Sequence, residues 1–167
     1  MLIQRRQALG LDTFDEVWDG AYHMAPATHP AHGYVDHALA VVLDRYAKAA
    51  DLVATGPFNL GQPDDYRVPD HGYHRGLPQG VWVPTAAVVV EVVSPDDESY
   101  AKFGFYAAHG VDELIVADPH ERSVRCFRRT GSGTPRWRGA KLSPWRPPSS
   151  PAVSTGRQFG RTASLPA

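Results

Sequence analysis

One cysteine, Cys126, stands among 167 residues, so no internal disulfide forms and a zinc ribbon, which needs several thiolates, is excluded. Long apolar runs are missing as well. Nothing approaches the roughly 20 apolar residues that cross a bilayer. The two arginines of the N-terminal MLIQRRQALG lead into no signal-peptide core. The setting these absences imply is a soluble protein of the reducing cytoplasm with no membrane partner. Internal repeats are absent, and so is a basic excess, since the formal net charge is -1. The arginines gather between Arg122 and Arg161 while the middle of the chain is acidic. Composition therefore does not predict the strong general affinity for nucleic acid that phosphate contacts confer.

What is present suits one compact domain, with a hydrophobic share of 43% that is ordinary for a globular chain. Asp19-Gly20 between the short runs of Thr13 to Met24 reads as a hairpin turn. From Pro30, a residue suited to a first helical turn, Val35, Ala38, Leu39, Val42, Leu43 and Tyr46 recur at three- and four-residue spacing. That pattern predicts a helix to about Ala50 with one apolar face against a sheet. Leu52 to Leu60, broken by Gly56-Pro57, reads as a strand entering a turn. Ala86 to Val93 is apolar on both faces and rich in β-branched residues, as a central strand should be.

Ser94-Pro95-Asp96-Asp97 reads as a capping-box variant that opens a helix ending near His109, with Gly110 as its left-handed stop. Leu114 to Ala117 is a second buried strand, and Val124 to Arg129, alternating apolar and basic residues, reads as an edge strand. After about Lys141 the sequence turns rich in proline, serine and arginine and is expected to stay disordered. The order predicts an α/β, three-layer domain with a mixed central sheet flanked by helices. Its expected divisions are an N-terminal arm at 1–11, the domain at 12–140 and a tail at 141–167.

Glu91 carries the strongest chemical signal. At period two it shares a strand face with Ala87, Val89 and Val93, where a carboxylate loses several kcal/mol of hydration unless something compensates. A metal ion, a basic side chain or hydrogen-bond donors would each serve. Lys102 is one candidate. If a helix starts at Pro95 and folds back along the strand, Lys102 lies roughly 10 Å up it. That matches about three strand residues, the separation of Glu91 from Ser94. Asp70 follows a proline in a segment that should also enter the sheet. Two carboxylates and a lysine suit phosphodiester hydrolysis: hard oxygens hold a divalent cation, and the lysine orients water or stabilises developing charge.

The run VVVEVVSPDDESYAKFGFYAAHGVDELIVADP closely resembles the Uma family of restriction-endonuclease-like proteins, in the PD-(D/E)XK nuclease superfamily. Its elements stand here as Glu91 to Pro95, Lys102, Tyr106 to Val111 and Asp118-Pro119. Upstream, FDEVWDGAYHMAP resembles the family's E-x-x-D-G hairpin, His32 its usual histidine, and YRVPD its R-x-P-D element. The resemblance covers about residues 12 to 130. It implies a restriction-endonuclease-like fold, an endonuclease (hydrolase) acting on DNA, and Mg2+, with Mn2+ as a substitute. Asp70 and Glu91 become metal ligands, joined by the backbone carbonyl of Val92, and Lys102 the catalytic lysine, with Glu16 as a further acidic contributor. The superfamily's usual lysine, two residues after the glutamate, is here Val93, so Lys102 serves from a helix. The tail does not resemble the apolar strand region that usually closes the family, and a sheet edge is expected to be left uncovered. A homodimer would let such an enzyme cut both strands, although nothing in the sequence requires one.

Two other readings remain open. His29, His32 and His37 cluster near one helix start and His71 and His74 flank Asp70, so a histidine-rich zinc or iron site is one. The other is a non-catalytic, nuclease-like module that binds nucleic acid or protein through Arg122, Arg125, Arg128 and Arg129.

Overall fold

The computed structural model describes residues 2–26, 29–94, 98–131 and 136–142. In chain order the elements are α1 (Leu2–Ala8), β1 (Glu16–Trp18), β2 (Ala21–His23), α2 (Pro30–Ala49), β3 (Val53–Thr55), β4 (Asn59–Gln62) and β5 (Asp65–Arg67). There follow β6 (His71–His74), β7 (Trp82–Val83), β8 (Val88–Val92), a 3-10 turn at Ser99–Lys102, α3 (Phe103–Ala108), β9 (Glu113–Asp118), β10 (Ser123–Thr130) and β11 (Arg136–Leu142). Two sheets result, ordered β2-β1-β5-β4-β7 and β11-β10-β9-β8-β6-β3. Both are mixed: β8 runs parallel to β9 and β4 parallel to β7, while the other pairings are antiparallel.

The six-stranded sheet is covered on both faces. On one, Val35, Leu39 and Ala47 of α2 pack with Tyr73, Val90, Val92, Ile115 and Ala117. On the other, Tyr106 and Val111 join Leu60, Val89, Leu114 and Val116, with Phe103 and Phe105 against them. Alternation along β8 divides Val90 and Val92 from Val89, so a single strand supplies both cores, as its two-sided apolar sequence requires. Glu91 lies on the Val89 face, toward α3.

The Asp19-Gly20 turn is a hairpin whose two residues have φ of 48° and 81°, the paired positive values that fit the twist of the flanking strands. Gly110 ends α3 at φ 75°; the Val111 N–H donates to Tyr106 O and that of Gly110 to Ala107 O, which closes the helix end.

The structure adds to some expectations and corrects others. The N-terminal arm holds α1, none of whose side chains is buried. It is pinned by Arg6, whose Nε and Nη2 donate to the buried Asp15 at 2.8 and 2.6 Å. Val42 and Tyr46 of α2 are 51% and 57% exposed, because the apolar arc of this helix is wider than the face the sheet covers. The second helix begins at Ser99 as a 3-10 turn; the expected start at Pro95 to Asp97 lies outside the described residues. β10 is no edge strand, since β11 pairs with it from Val124↔Leu142 to Thr130↔Arg136. Most of the tail expected to be disordered, residues 143–167, also lies outside the described residues.

Candidate active site

Glu91 sits on the last turn of pleat of β8 and is 3% exposed. Lys102 Nζ lies 3.3 Å from its Oε1. Tyr106, fully buried one turn further along, donates its hydroxyl to the same oxygen. The described contacts of Glu91 thus all fall on Oε1. Burial is the main force on this carboxyl, pushing its pKa up to about 7; Lys102 and Tyr106 oppose that rise, whereas Asp70 and Glu16 add to it. For Lys102, burial acts to discharge the ammonium, but Glu91 and Glu16 together outweigh it and raise the pKa. Tyr106 is raised as well, by burial first and then by Glu91.

Lys102 reaches Glu91 by a route other than the expected one. It stands at the end of the 3-10 turn, immediately before α3, not midway along a helix that starts at Pro95.

Glu16 is the residue whose importance the sequence understated. It lies on β1, in the other sheet, and its Oε1 is 2.9 Å from Lys102 Nζ. The same oxygen accepts the Val68 N–H at 2.7 Å, and Oε2 accepts the Trp18 indole N–H at 2.6 Å.

Asp70 is held from β8 and from α2. Its Oδ2 accepts the Val92 N–H at 2.7 Å, and its Oδ1 is 3.3 Å from His32 Nε2. Extended backbone places a residue's N–H and C=O on the same edge of the strand, so the Val92 carbonyl also lies on the Asp70 side. One helical turn beyond His32, Asp36 Oδ1 stands 2.6 Å from His71 Nδ1, although neither atom has a partner at hydrogen-bond angles. Burial raises the Asp36 pKa; His71 and His32 lower it, and Asp70 adds to the rise. Asp36 escaped the sequence reading, although its i, i+4 spacing from His32 on a helix facing the sheet was a usable signal.

The other candidates lie apart from this cluster. His29 caps α2 through Nδ1, which accepts the Ala31 N–H at 3.1 Å, and His37 is exposed. His74 is buried beside Thr55 Oγ1, 3.0 Å away. Arg128 and Arg129 pair with Glu113 and Asp112 at 2.5 and 3.0 Å. Arg67 of the R-x-P-D element lies between the rings of Trp18 and Phe105, 4.5 and 4.0 Å from their centroids, and donates to the Val17 carbonyl at 2.8 Å. That arginine fastens the hairpin to the helix, while Pro69, two residues on and immediately before Asp70, is fully buried.

The donor set fits a divalent cation. Two carboxylates, Glu16 and Glu91, face one ammonium, and the negative charge of Asp70 and Glu16 adds to the rise that burial imposes on the Glu91 pKa. Among the described residues no three His, Cys, Asp or Glu side chains are gathered where they could together hold a metal ion. Two carboxylates and a backbone carbonyl instead suit a hard cation that keeps part of its water shell.

A mixed sheet between helices, with carboxylates and a lysine at the end of its central strand, defines the class of nuclease-like α/β proteins. The chain belongs to the Uma2 family, described as "Putative restriction endonuclease", which matches it over residues 14–164. Its fold is similar to the crystal structure of a protein from Anabaena variabilis ATCC 29413, titled "a putative nuclease belonging to DUF820". That similarity has a TM-score of 0.63 at 17% identity and covers 77% of this chain and 75% of the other. No curated protein matches the chain. No helix among the described residues is long and apolar enough to cross a membrane.

Proposed function

We propose that this protein is an endonuclease that hydrolyses phosphodiester bonds of DNA, with Mg2+ as its cation and Mn2+ as a working substitute. The observation that carries the reading is the buried Glu91 on an apolar strand face, 3.3 Å from Lys102 and electrostatically coupled to Asp70. A carboxylate so desolvated is costly to the fold, and such a cost is tolerated where it supplies chemistry.

Asp70, Glu91 and the Val92 carbonyl would hold the cation. When bound, it supplies Lewis acidity toward the phosphate and a lowered pKa for a bound water. Lys102 donates hydrogen bonds to the attacking water or to the charge that gathers on the phosphate oxygens. Tyr106 fixes the rotamer of Glu91 from behind by occupying Oε1. Val92 does the same for Asp70 by occupying Oδ2. In the hydrolysis the water oxygen bonds to phosphorus as one backbone P–O bond breaks. The leaving oxygen ends protonated. We take residues 12–140 as the nuclease unit and the cytoplasm as its place of action.

The test is cleavage of plasmid DNA by the purified chain with Mg2+ or Mn2+. Asp70→Ala and Glu91→Ala are expected to abolish it. Robust cleavage by both variants refutes the site. DNA binding without cleavage by the wild type assigns the fold to a binding module instead.

A further inference from the structure

Lys102 is shared between carboxylates from two different sheets, and the nearer one is not Glu91. Glu16 stands at 2.9 Å and Glu91 at 3.3 Å. The two carboxylates are also held differently. Glu16 has both oxygens committed to neutral N–H donors, Val68 N and the Trp18 indole, so it is oriented independently of Lys102. Glu91 has all its described contacts on one oxygen.

We propose that Glu16 is the positioning residue that keeps Lys102 in the site once a divalent cation takes up the charge of Glu91. The inference rests on Asp70 and Glu91 being the carboxylates that carry the cation. A dication beside Glu91 offsets that carboxylate's attraction for the ammonium and adds a repulsion of its own. Lys102 is a flexible side chain, 13% exposed and therefore close to solvent. With Glu91 as its sole anchor it would leave for water and regain rotamer entropy. Glu16, fixed from β1, supplies an attraction that the cation does not cancel as fully, so the ammonium remains beside the reacting phosphate. Because Glu16 already serves two neutral donors, its role is toward Lys102 and not as a ligand.

The chain makes this directly observable, since Lys48, Lys102 and Lys141 are its three lysines. With 15N-labelled lysine, a buried hydrogen-bonded ammonium exchanges its protons slowly enough to give a side-chain signal, whereas solvated lysines do not. The wild type is expected to show a Lys102 signal with and without Mg2+. In Glu16→Gln, a near-isostere that can still accept one of the two N–H groups, the signal is expected without Mg2+ and lost on adding it. In the same variant Mg2+ still binds stoichiometrically by calorimetry, and kcat falls about 10- to 100-fold, as for other groups that orient a catalytic partner.

Persistence of the Lys102 signal in Mg2+-loaded Glu16→Gln overturns the proposal and leaves the carboxylate site intact. Loss of Mg2+ binding in Glu16→Gln also overturns it, by making Glu16 a ligand. Failure of the wild type to bind Mg2+ overturns the underlying site together with this proposal.

Discussion

The backbone N–H of Val92 donates to Asp70 Oδ2 at 2.7 Å, so the residue after one proposed ligand orients the other. The first prediction follows. Asp70→Asn keeps an acceptor for Val92 and is expected to fold with near wild-type stability while losing cleavage. Asp70→Ala leaves that N–H without its acceptor and costs about 1–3 kcal/mol in addition. Urea unfolding of the two variants alongside plasmid cleavage separates the effects. Equal stability of both would show that the hydrogen bond contributes nothing.

Tyr106→Phe retains the ring within the core cluster of Leu60, Val89, Val111 and Leu114 and removes only the hydroxyl that meets Glu91. Stability is expected to fall by about 1–3 kcal/mol, the cost of leaving a buried acceptor under-satisfied. Mg2+ affinity should weaken too, because Glu91 then keeps Lys102 but loses the hydroxyl that also holds its Oε1. Chemical denaturation and calorimetry check the two halves; unchanged values in both would remove Tyr106 from its supporting role.

His74 gives a pH dependence whose sign is fixed. Burial lowers its pKa below 6.5, only partly offset by its hydrogen bond to the Thr85 backbone. The unfolded state therefore binds a proton that the folded state resists, and stability from this group is full above about pH 6.5 and falls as the pH drops below it. His74→Gln is expected to flatten that part of the curve. Thermal melts between pH 5 and pH 8 test it, and an unaltered slope in the variant would assign the effect elsewhere.

Gly72 is a packing test. A Cβ built there would lie 2.3 Å from Phe58 Cε1 and 2.6 Å from His74 Nε2. Gly72→Ala must therefore displace both rings, and overpacking of this kind typically costs about 1–3 kcal/mol. The melting temperature should fall well below that of Gly33→Ala, whose Cβ meets nothing within 4 Å. Similar melting of the two variants would mean that Phe58 and His74 move aside freely.

Local patterns carried much of this fold. Asp19-Gly20 announced its hairpin, the 3.6-residue spacing announced α2, and the β-branched run to Val93 announced the strand that bears Glu91. What escaped depends on distant partners. α1 buries no side chain and rests on one ion pair from Arg6 to Asp15, which no local period records. β11 was unread because its sequence, RWRGAKL, offers little alternation, yet it pairs with all of β10 except Ser123. At the candidate site, the apolar face marked Glu91 and family resemblance marked Asp70. The approach of Glu16 to Lys102 follows from the docking of two sheets, which neither segment encodes alone. His32 and Asp36 come to Asp70 and His71 by the packing of α2 on the sheet; family resemblance marked His32, while for Asp36 only the four-residue spacing hinted at it.

Lys102 bridges a carboxylate from each sheet, so the full pairing of the ammonium exists only where the two sheets are docked. The larger sheet brings Asp70, Glu91 and Lys102 together, and the hairpin sheet adds Glu16 to the ammonium. Loosening of the seam between the sheets would therefore weaken the hold on the ammonium before the rest of the fold gave way.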